Sequence, residues 1–323
     1  MNFKKLSVAL AEEVEKQTYG ESPVELYEPI SYIMALGGKR LRPMLTLIGA
    51  SLYTENWQKA LKPALAVEVF HNFTLLHDDI MDKAPTRRGK PTVHKKWNDS
   101  VALLSGDVML VKAYELLFEI DADLLVPVLK SFSQTAAEVC EGQQLDMNFE
   151  LLEEVSLEEY LNMIRLKTSV LLGFSLKLGA MLGGASKDDF EKLYTVGINA
   201  GIGFQLMDDI LDVYGDPEKF GKQVGGDIIS NKKTYLLILA KNLVKGSIQE
   251  KLNHWLSVSS FNNTEKVQEV TDIYNTLNIR EQVEALMNSY FEKCFSDIES
   301  LSLSNEKKHS LAQFFKELMQ RES

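Results

Sequence analysis

Cysteine is nearly missing from this 323-residue chain, which has two, Cys140 and Cys294. That excludes a disulfide framework and a cysteine-rich zinc site, and each is expected to serve as a small apolar filler. Proline is scarce too: there are eight, with none between Pro127 and Pro217 and none after Pro217. Long proline-free stretches with apolar residues at 3.6-residue spacing favour helices. No uncharged apolar run reaches the ~18 residues a membrane span needs, since Lys177 interrupts the best candidate. Positive charge is in deficit as well. Against 46 Asp and Glu stand 35 Lys and Arg, for a net charge of -11. Such a balance argues against a general nucleic-acid or anionic-membrane binder. Taken alone, it also points away from phosphate ligands. Phe3, Leu6, Leu10 and Val14 recur at helical spacing, so the start reads as an amphipathic helix rather than a signal peptide. The expected setting is cytoplasmic.

Helix is what the sequence has in quantity. The spacing predicts helices over about 3–18, 23–36, 40–54, 58–83, 99–119, 122–149, 157–183, 187–214, 228–244, 264–278, 280–300 and 305–321. Ser22-Pro23-Val24-Glu25, Ser156-Leu157-Glu158-Glu159 and Ser186 with Asp189 read as capping signals. No segment alternates long enough for a strand, and no linker or repeat divides the chain. The expectation is all-α, a single domain over 1–323 built as a bundle of long helices. Two stretches interrupt it, Lys83 to Lys96 and Gly215 to Lys233, and each directly follows an aspartate cluster.

Those clusters are Asp78-Asp79-Ile80-Met81-Asp82 and Asp208-Asp209-Ile210-Leu211-Asp212. In each, the first and last carboxylates are i and i+4 on one helical face, a repulsive arrangement. A divalent cation would relieve it. Magnesium is satisfied by one or two carboxylates completed by water and substrate phosphates. A solvated acidic face is the ordinary alternative for one such cluster. Two are another matter, because chance expects ~0.05 such pentamers in a chain of ordinary composition, and both sit among apolar residues. An EF-hand is excluded, since no loop of alternating oxygen ligands with a closing Glu is present.

Basic residues lie close by in sequence. Gly37-Gly38-Lys39-Arg40-Leu41-Arg42-Pro43 joins two predicted helices and offers backbone amides and charge to an anion. It is not a Walker loop. Arg87, Arg88, Gly89 and Lys90 follow the first cluster; Lys222, Gly225, Gly226, Lys232 and Lys233 follow the second. Acidic clusters paired twice with basic, glycine-containing loops suggest a site for two phosphorylated groups, one metal-bound and one held by Lys and Arg.

Together with Gly142-Gln143-Gln144-Leu145-Asp146, Lys167-Thr168 and Phe204-Gln205, these motifs strongly resemble the trans-isoprenyl diphosphate synthases, or polyprenyl synthetases. The short-chain farnesyl and geranylgeranyl diphosphate synthases among them are the nearest in kind. The resemblance runs from about residue 35 to 235, in family order. It implies a helical bundle around a deep apolar cavity, of the isoprenoid synthase type. The implied reaction is head-to-tail condensation of isopentenyl diphosphate with an allylic diphosphate (dimethylallyl, geranyl or farnesyl), assisted by about three magnesium ions. A homodimer is also implied.

Residue by residue, the resemblance assigns Asp78, Asp79, Asp82, Asp208, Asp209 and Asp212 to magnesium, with Asp78 and Asp208 central to catalysis. Arg87, Lys167 and Lys222 are implied contacts of the allylic diphosphate. Lys39, Arg42, His71 and Arg88 match the isopentenyl diphosphate site. His71 also fits independently, lying two helical turns before Asp78 on the same face. Thr168, Gln205 and the carbonyl of Lys167 match the group near the developing carbocation, with Asp146 nearby. Lys232 matches a lysine of a closing loop hinged at Gly225 and Gly226. His77, His94, His254 and His309 keep ordinary structural readings.

Phe73 and Thr74 precede Asp78 by five and four positions. In the family, a large residue five before this motif acts as a floor for the growing chain. Phe73 with the smaller Thr74 implies a C20 geranylgeranyl product, with C15 farnesyl next. A class I terpene cyclase would carry a different second motif and would not need Lys39, Arg42, His71 and Arg88. A non-catalytic regulatory subunit would have lost catalytic aspartates or basic residues.

Overall fold

The computed structural model describes residues 2–216 and 224–322. In chain order the helices are α1 (Phe3–Lys16), α2 (Val24–Ala35), α3 (Leu41–Tyr53), α4 (Leu61–Met81), α5 (Val93–Lys96), α6 (Asp99–Leu117), α7 (Ala122–Leu151), α8 (Leu157–Ile164), α9 (Val170–Leu182) and α10 (Lys187–Tyr214). After the undescribed stretch come α11 (Gly226–Ile229), α12 (Tyr235–Leu243), α13 (Gly246–Ser257), α14 (Asn263–Thr276), α15 (Ile279–Glu299) and α16 (Asn305–Glu322). Among the described residues the strands β1 (Thr86–Arg87) and β2 (Lys90–Pro91) are two residues each. The fold is all-α.

The chain forms two compact units. The first comprises Met1–Ala136 and Leu171–Tyr194. Its core gathers Leu45, Leu47 and Ile48 of α3, Leu65, Val69 and Phe70 of α4, Phe132 of α7 and Phe174 of α9, all buried. Helices α3 and α9 cross with backbones nearly touching: a methyl group on Gly179 would lie 2.0 Å from the Thr46 carbonyl oxygen. The second unit comprises Ala137–Val170 and Thr195–Ser323. Leu206 and Ile210 of α10, Leu236 of α12, Leu252 of α13, Tyr274 of α14 and Val283 of α15 are buried in its core.

Several local expectations need correcting. Pro23, not Ser22, is the N-cap of α2, and it has no side-chain oxygen to cap with. The Ser156 capping box forms in both directions, with Glu159 N–H donating to Oγ and Ser156 N–H donating to the Glu159 carboxylate. Ser186 Oγ likewise accepts from Asp189 N–H at 3.2 Å. The helix predicted over 228–244 is two, because Thr234 caps a fresh start at Tyr235. Helix α13 escaped the apolar pattern because its opening Gly246-Ser247 reads as a loop. Cys294 is buried as expected, whereas Cys140 is exposed.

The helix predicted over 157–183 is broken by a π turn at Arg165–Ser169, where Val170 N–H donates to the Arg165 carbonyl instead of the usual i−4 partner. Each flank keeps its own helical periodicity and apolar residues run through the insertion, so the pattern does not reveal it. Insertions of this kind concentrate at functional positions, and this one holds Lys167 and Thr168.

Candidate active site

In the first unit, α4 carries Glu68, His71, Phe73, Thr74 and the first aspartate cluster at its C-terminal end. The cluster divides in two. Asp79 is 2% exposed and grips Arg87, whose Nε donates to both oxygens at 3.0 and 2.9 Å while a terminal nitrogen donates at 2.8 Å. Asp78 is partly exposed and Asp82 exposed.

Arg87 reaches Asp79 because the chain reverses just beyond the cluster. Strands β1 and β2 pair antiparallel with Arg87 opposite Lys90. The turn residues Arg88 and Gly89 have φ of 53° and 73°, the mirror-image turn that suits a two-residue hairpin. Arg40 and Lys83 also take left-handed backbone, at 47° and 51°. Such conformations cost a non-glycine residue free energy and cluster where function requires them.

The hairpin aims Arg88 at the glycine loop. A methyl group on Gly38 would lie 2.6 Å from an Arg88 guanidinium nitrogen, and its φ of 139° is one that glycine adopts without strain. Close to it, Arg42 donates to Nε2 of His71 at 3.1 Å. Burial, reinforced by Arg42, Arg88 and Arg87, holds His71 well below its usual pKa, and burial lowers Arg42 to about 10. Lys39 is exposed at the start of this basic group.

Sequence reasoning missed the acid beneath it. Glu68 is 4% exposed, and burial raises its pKa against the pull of Asn72, Arg42, Arg40 and Arg88. Asn72 donates to its Oε1 at 3.2 Å. The signal was available: a lone carboxylate in the apolar run Ala64–Phe70, one turn before His71. Arg42 Nε, Glu68 Oε2 and Asn72 Oδ1 are buried without a hydrogen-bond partner among the described residues. Phe73 is buried, stacked edge-on against His77 at 4.7 Å and tilted against Phe70. The Thr74 hydroxyl donates back to the His71 carbonyl at 2.8 Å. His77 Nε2 lies 3.1 Å from the Leu103 carbonyl oxygen.

In the second unit the other cluster repeats the division. Asp209 is 4% exposed and fully engaged: the Tyr160 hydroxyl donates to Oδ2 at 2.5 Å and the Gln205 amide to Oδ1 at 3.3 Å. Burial lifts its pKa to about 7, against those bonds and the charge of Lys232. Asp208 is exposed and Asp212 partly exposed. Asp212 Oδ2 accepts from Asp227 N–H at 3.0 Å, and its carbonyl accepts from Gly225 N–H at 2.6 Å, which ties Gly225–Asp227 to the end of α10. Lys232 is exposed three residues beyond α11. Lys222 lies outside the described residues.

The π turn is held from two sides. A methyl group on Gly142 of α7 would lie 2.2 Å from Lys167 backbone nitrogen, and one on Gly201 of α10 would lie 2.7 Å from Ser169 Cα. One turn beyond Gly142, Asp146 accepts from the Lys167 ammonium at 2.5 Å. Thr168 Oγ1 donates to Gln205 Oε1 at 3.2 Å. Gly142-Gln143-Gln144-Leu145-Asp146 thus supplies a crossing point and a counter-charge for Lys167. Tyr160, which sequence reasoning also missed, gave no local signal, because its partner is 49 residues away.

Among the described residues no three His, Cys, Asp or Glu side chains converge on a metal position by themselves. The donor set still fits magnesium, which needs few carboxylates and fills its remaining positions with water and phosphate oxygens. Each cluster leaves its i and i+4 carboxylates accessible at the end of a helix.

The sequence pattern of the polyprenyl synthetase family matches residues 23–276. A geranylgeranyl diphosphate synthase of Methanosarcina mazei is 46% identical over 221 residues, 68% of each chain. A short chain isoprenyl diphosphate synthase of Methanothermobacter thermautotrophicus is 32% identical over 304 residues, 94% of this chain and 93% of that one. A crystal structure of a geranylgeranyl pyrophosphate synthase superimposes with a TM-score of 0.95 at 45% identity, covering all of both chains.

Proposed function

The chain belongs to the polyprenyl synthetase family, and on that premise we propose the reaction and the residues that carry it. It is a trans-prenyltransferase that joins isopentenyl diphosphate head-to-tail to an allylic diphosphate, with geranylgeranyl diphosphate as the main product. The observation that carries this reading is the twin division of the aspartate clusters. In each, the middle carboxylate is buried, whereas the outer two are partly or fully exposed.

The family uses a divalent metal to hold diphosphate. Asp78, Asp82, Asp208 and Asp212 are the accessible carboxylates for it, with Asp79 and Asp209 beside them. Bound magnesium would neutralise diphosphate charge and ease its departure. Arg87, Lys167, Lys222 and Lys232 would stabilise negative charge gathering on the leaving group. As the allylic C–O bond breaks, its electron pair leaves with the diphosphate and a carbocation remains. The carbonyl oxygens of Gln205 and Lys167 and the Thr168 hydroxyl offer it partial negative charge. Lys39, Arg42, His71 and Arg88 hold the second diphosphate so that the isopentenyl double bond attacks the cation. Attack leaves a tertiary cation at C3 of the isopentenyl unit, and a proton is then lost from its C2 to an oxygen of the released diphosphate, the C–H pair becoming the new C2=C3 double bond. Water must stay out, because it would capture the cation as an alcohol.

Phe73 is the proposed floor for the product chain, supported by its burial and aromatic contacts. A homodimer is supported by Leu104, Val111 and Phe118, which recur every seven residues on and just beyond α6 and are each more than half exposed. One synthase domain over 1–323 is supported by similarity extending over 94% of the chain. A cytoplasmic setting is supported by the scarcity of cysteine, two in 323 residues. No helix of the described residues is long and apolar enough to cross a membrane.

The test is turnover of labelled isopentenyl diphosphate with dimethylallyl, geranyl or farnesyl diphosphate, with and without magnesium. A metal-dependent, acid-labile C20 diphosphate is the expected outcome. A cyclic hydrocarbon or no turnover would overturn the reading.

A further inference from the structure

Three hydrogen bonds in the second unit form one directed chain. The Thr168 hydroxyl donates to Gln205 Oε1 at 3.2 Å, the Gln205 amide donates to Asp209 Oδ1 at 3.3 Å, and the Tyr160 hydroxyl donates to Asp209 Oδ2 at 2.5 Å. Every arrow runs toward Asp209. A carboxylate accepts on both oxygens, so it can receive the amide and the phenol at once.

A glutamine amide has two nearly isosteric ends, and its surroundings decide which end points where. Asp209 sits one turn after Gln205 on α10, and its carboxylate takes the NH2 end. That leaves the carbonyl end for Thr168. A flipped amide would set two oxygens against each other at Asp209 and turn N–H groups toward Thr168. Orientation of Gln205 therefore depends on where the Asp209 carboxylate points. Asp209 is nearly fully buried, so water does not fix its rotamer. Tyr160 does. It is itself 2% exposed, and α8 delivers it four residues after the Ser156 cap, with its ring edge-on to Tyr235 at 6.2 Å.

We propose that Tyr160 is a positioning residue for the prenyl transfer: by locking Asp209 it keeps the Gln205 carbonyl, rather than its amide N–H groups, available to the carbocation group. The premise is the placement of Gln205 and Thr168 beside that cation. An electropositive N–H end there would raise the barrier to C–O cleavage while leaving diphosphate binding in place. The effect belongs in kcat.

A double-mutant cycle on kcat tests this, using Tyr160→Phe, Gln205→Leu and the pair. Tyr160→Phe is expected to lower kcat ~10- to 100-fold, the scale of a misplaced reacting group. KM for isopentenyl diphosphate and calorimetric binding of magnesium pyrophosphate should stay within about twofold by the same reasoning. In the Gln205→Leu background, Tyr160→Phe should cost less than about twofold more. An unchanged kcat for Tyr160→Phe, or losses that multiply in the double variant, would overturn the role of Tyr160. If Gln205→Leu itself leaves kcat unaltered, the premise about the carbocation group fails instead. Should Tyr160→Phe not fold, Tyr160→Leu carries the same cycle, since it removes the hydroxyl from Asp209 Oδ2 and must lower kcat non-additively with Gln205→Leu. A loss confined to magnesium pyrophosphate binding would contradict the positioning role.

Discussion

Arg42 donates to Nε2 of His71 across 3.1 Å, and that bond fixes the protonation of the imidazole. A guanidinium has only donors, so Nε2 must accept and the ring proton resides on Nδ1. His71 is therefore a neutral donor within a strongly cationic group, oriented by its neighbour.

That neutrality has a pH signature. An unfolded histidine takes up its proton near pH ~6.5, whereas burial and Arg42, Arg88 and Arg87 hold folded His71 well below that. Stability is fully present above the unfolded value and falls as pH drops beneath it, because the unfolded chain then binds the extra proton. His71→Gln should flatten the fall of Tm between about pH 7 and pH 5.5. Equal slopes in thermal melts of the two proteins would count against it.

Arg87 and Arg88 are adjacent but carry different loads. Arg87 holds the buried Asp79 through a bidentate grip, whereas Arg88 is exposed at the turn. Arg87→Met should cost ~2–3 kcal/mol in urea unfolding, since it strands a buried carboxylate. Arg88→Met should cost less than about 1 kcal/mol and act mainly through KM for isopentenyl diphosphate.

Phe73→Ala should lengthen the product, moving most label from C20 to C25 and longer chains on reversed-phase TLC. His77 braces the Phe73 ring from one turn away, so His77→Ala should shift the distribution the same way to a smaller extent. An unchanged length for Phe73→Ala would remove the floor assignment.

Gly142→Ala would drive a methyl group into the Lys167 backbone, 2.2 Å from its nitrogen. Backbone cannot swing aside as a side chain can. We expect ~1–3 kcal/mol of destabilisation, read by denaturant unfolding, together with a kcat loss, because Lys167 and Thr168 shift with the turn.

The exposed stripe of Leu104, Val111 and Phe118 predicts that Val111→Arg converts dimer to monomer. Sedimentation equilibrium would show it, and an unaltered mass would place the interface elsewhere.

Much of this site was legible along the chain because its ingredients are local. The Asp78–Asp82 and Asp208–Asp212 clusters each fit inside five residues, and Gly37–Arg42 is one short segment running into α3. The partners of their buried members were less so. Arg87 is eight residues from Asp79 and could be guessed; Tyr160 is 49 from Asp209 and could not. The hairpin that aims Arg88 was invisible because two-residue strands carry no alternating pattern. The π turn was hidden for the opposite reason: apolar residues continue through it and read as one helix.

That turn sets a rule for sequence change along the whole segment. One extra residue in a helix rotates everything beyond it by about 100°. Tyr160 upstream points to Asp209, while Gly173 and Leu176 downstream lie against Tyr194 and Gly49. The two stretches keep separate phases, and the five residues Arg165–Ser169 are the gear between them. Substitutions can accumulate on either side independently. A single-residue deletion there would preserve every side chain but one and still turn one stretch away from its partners.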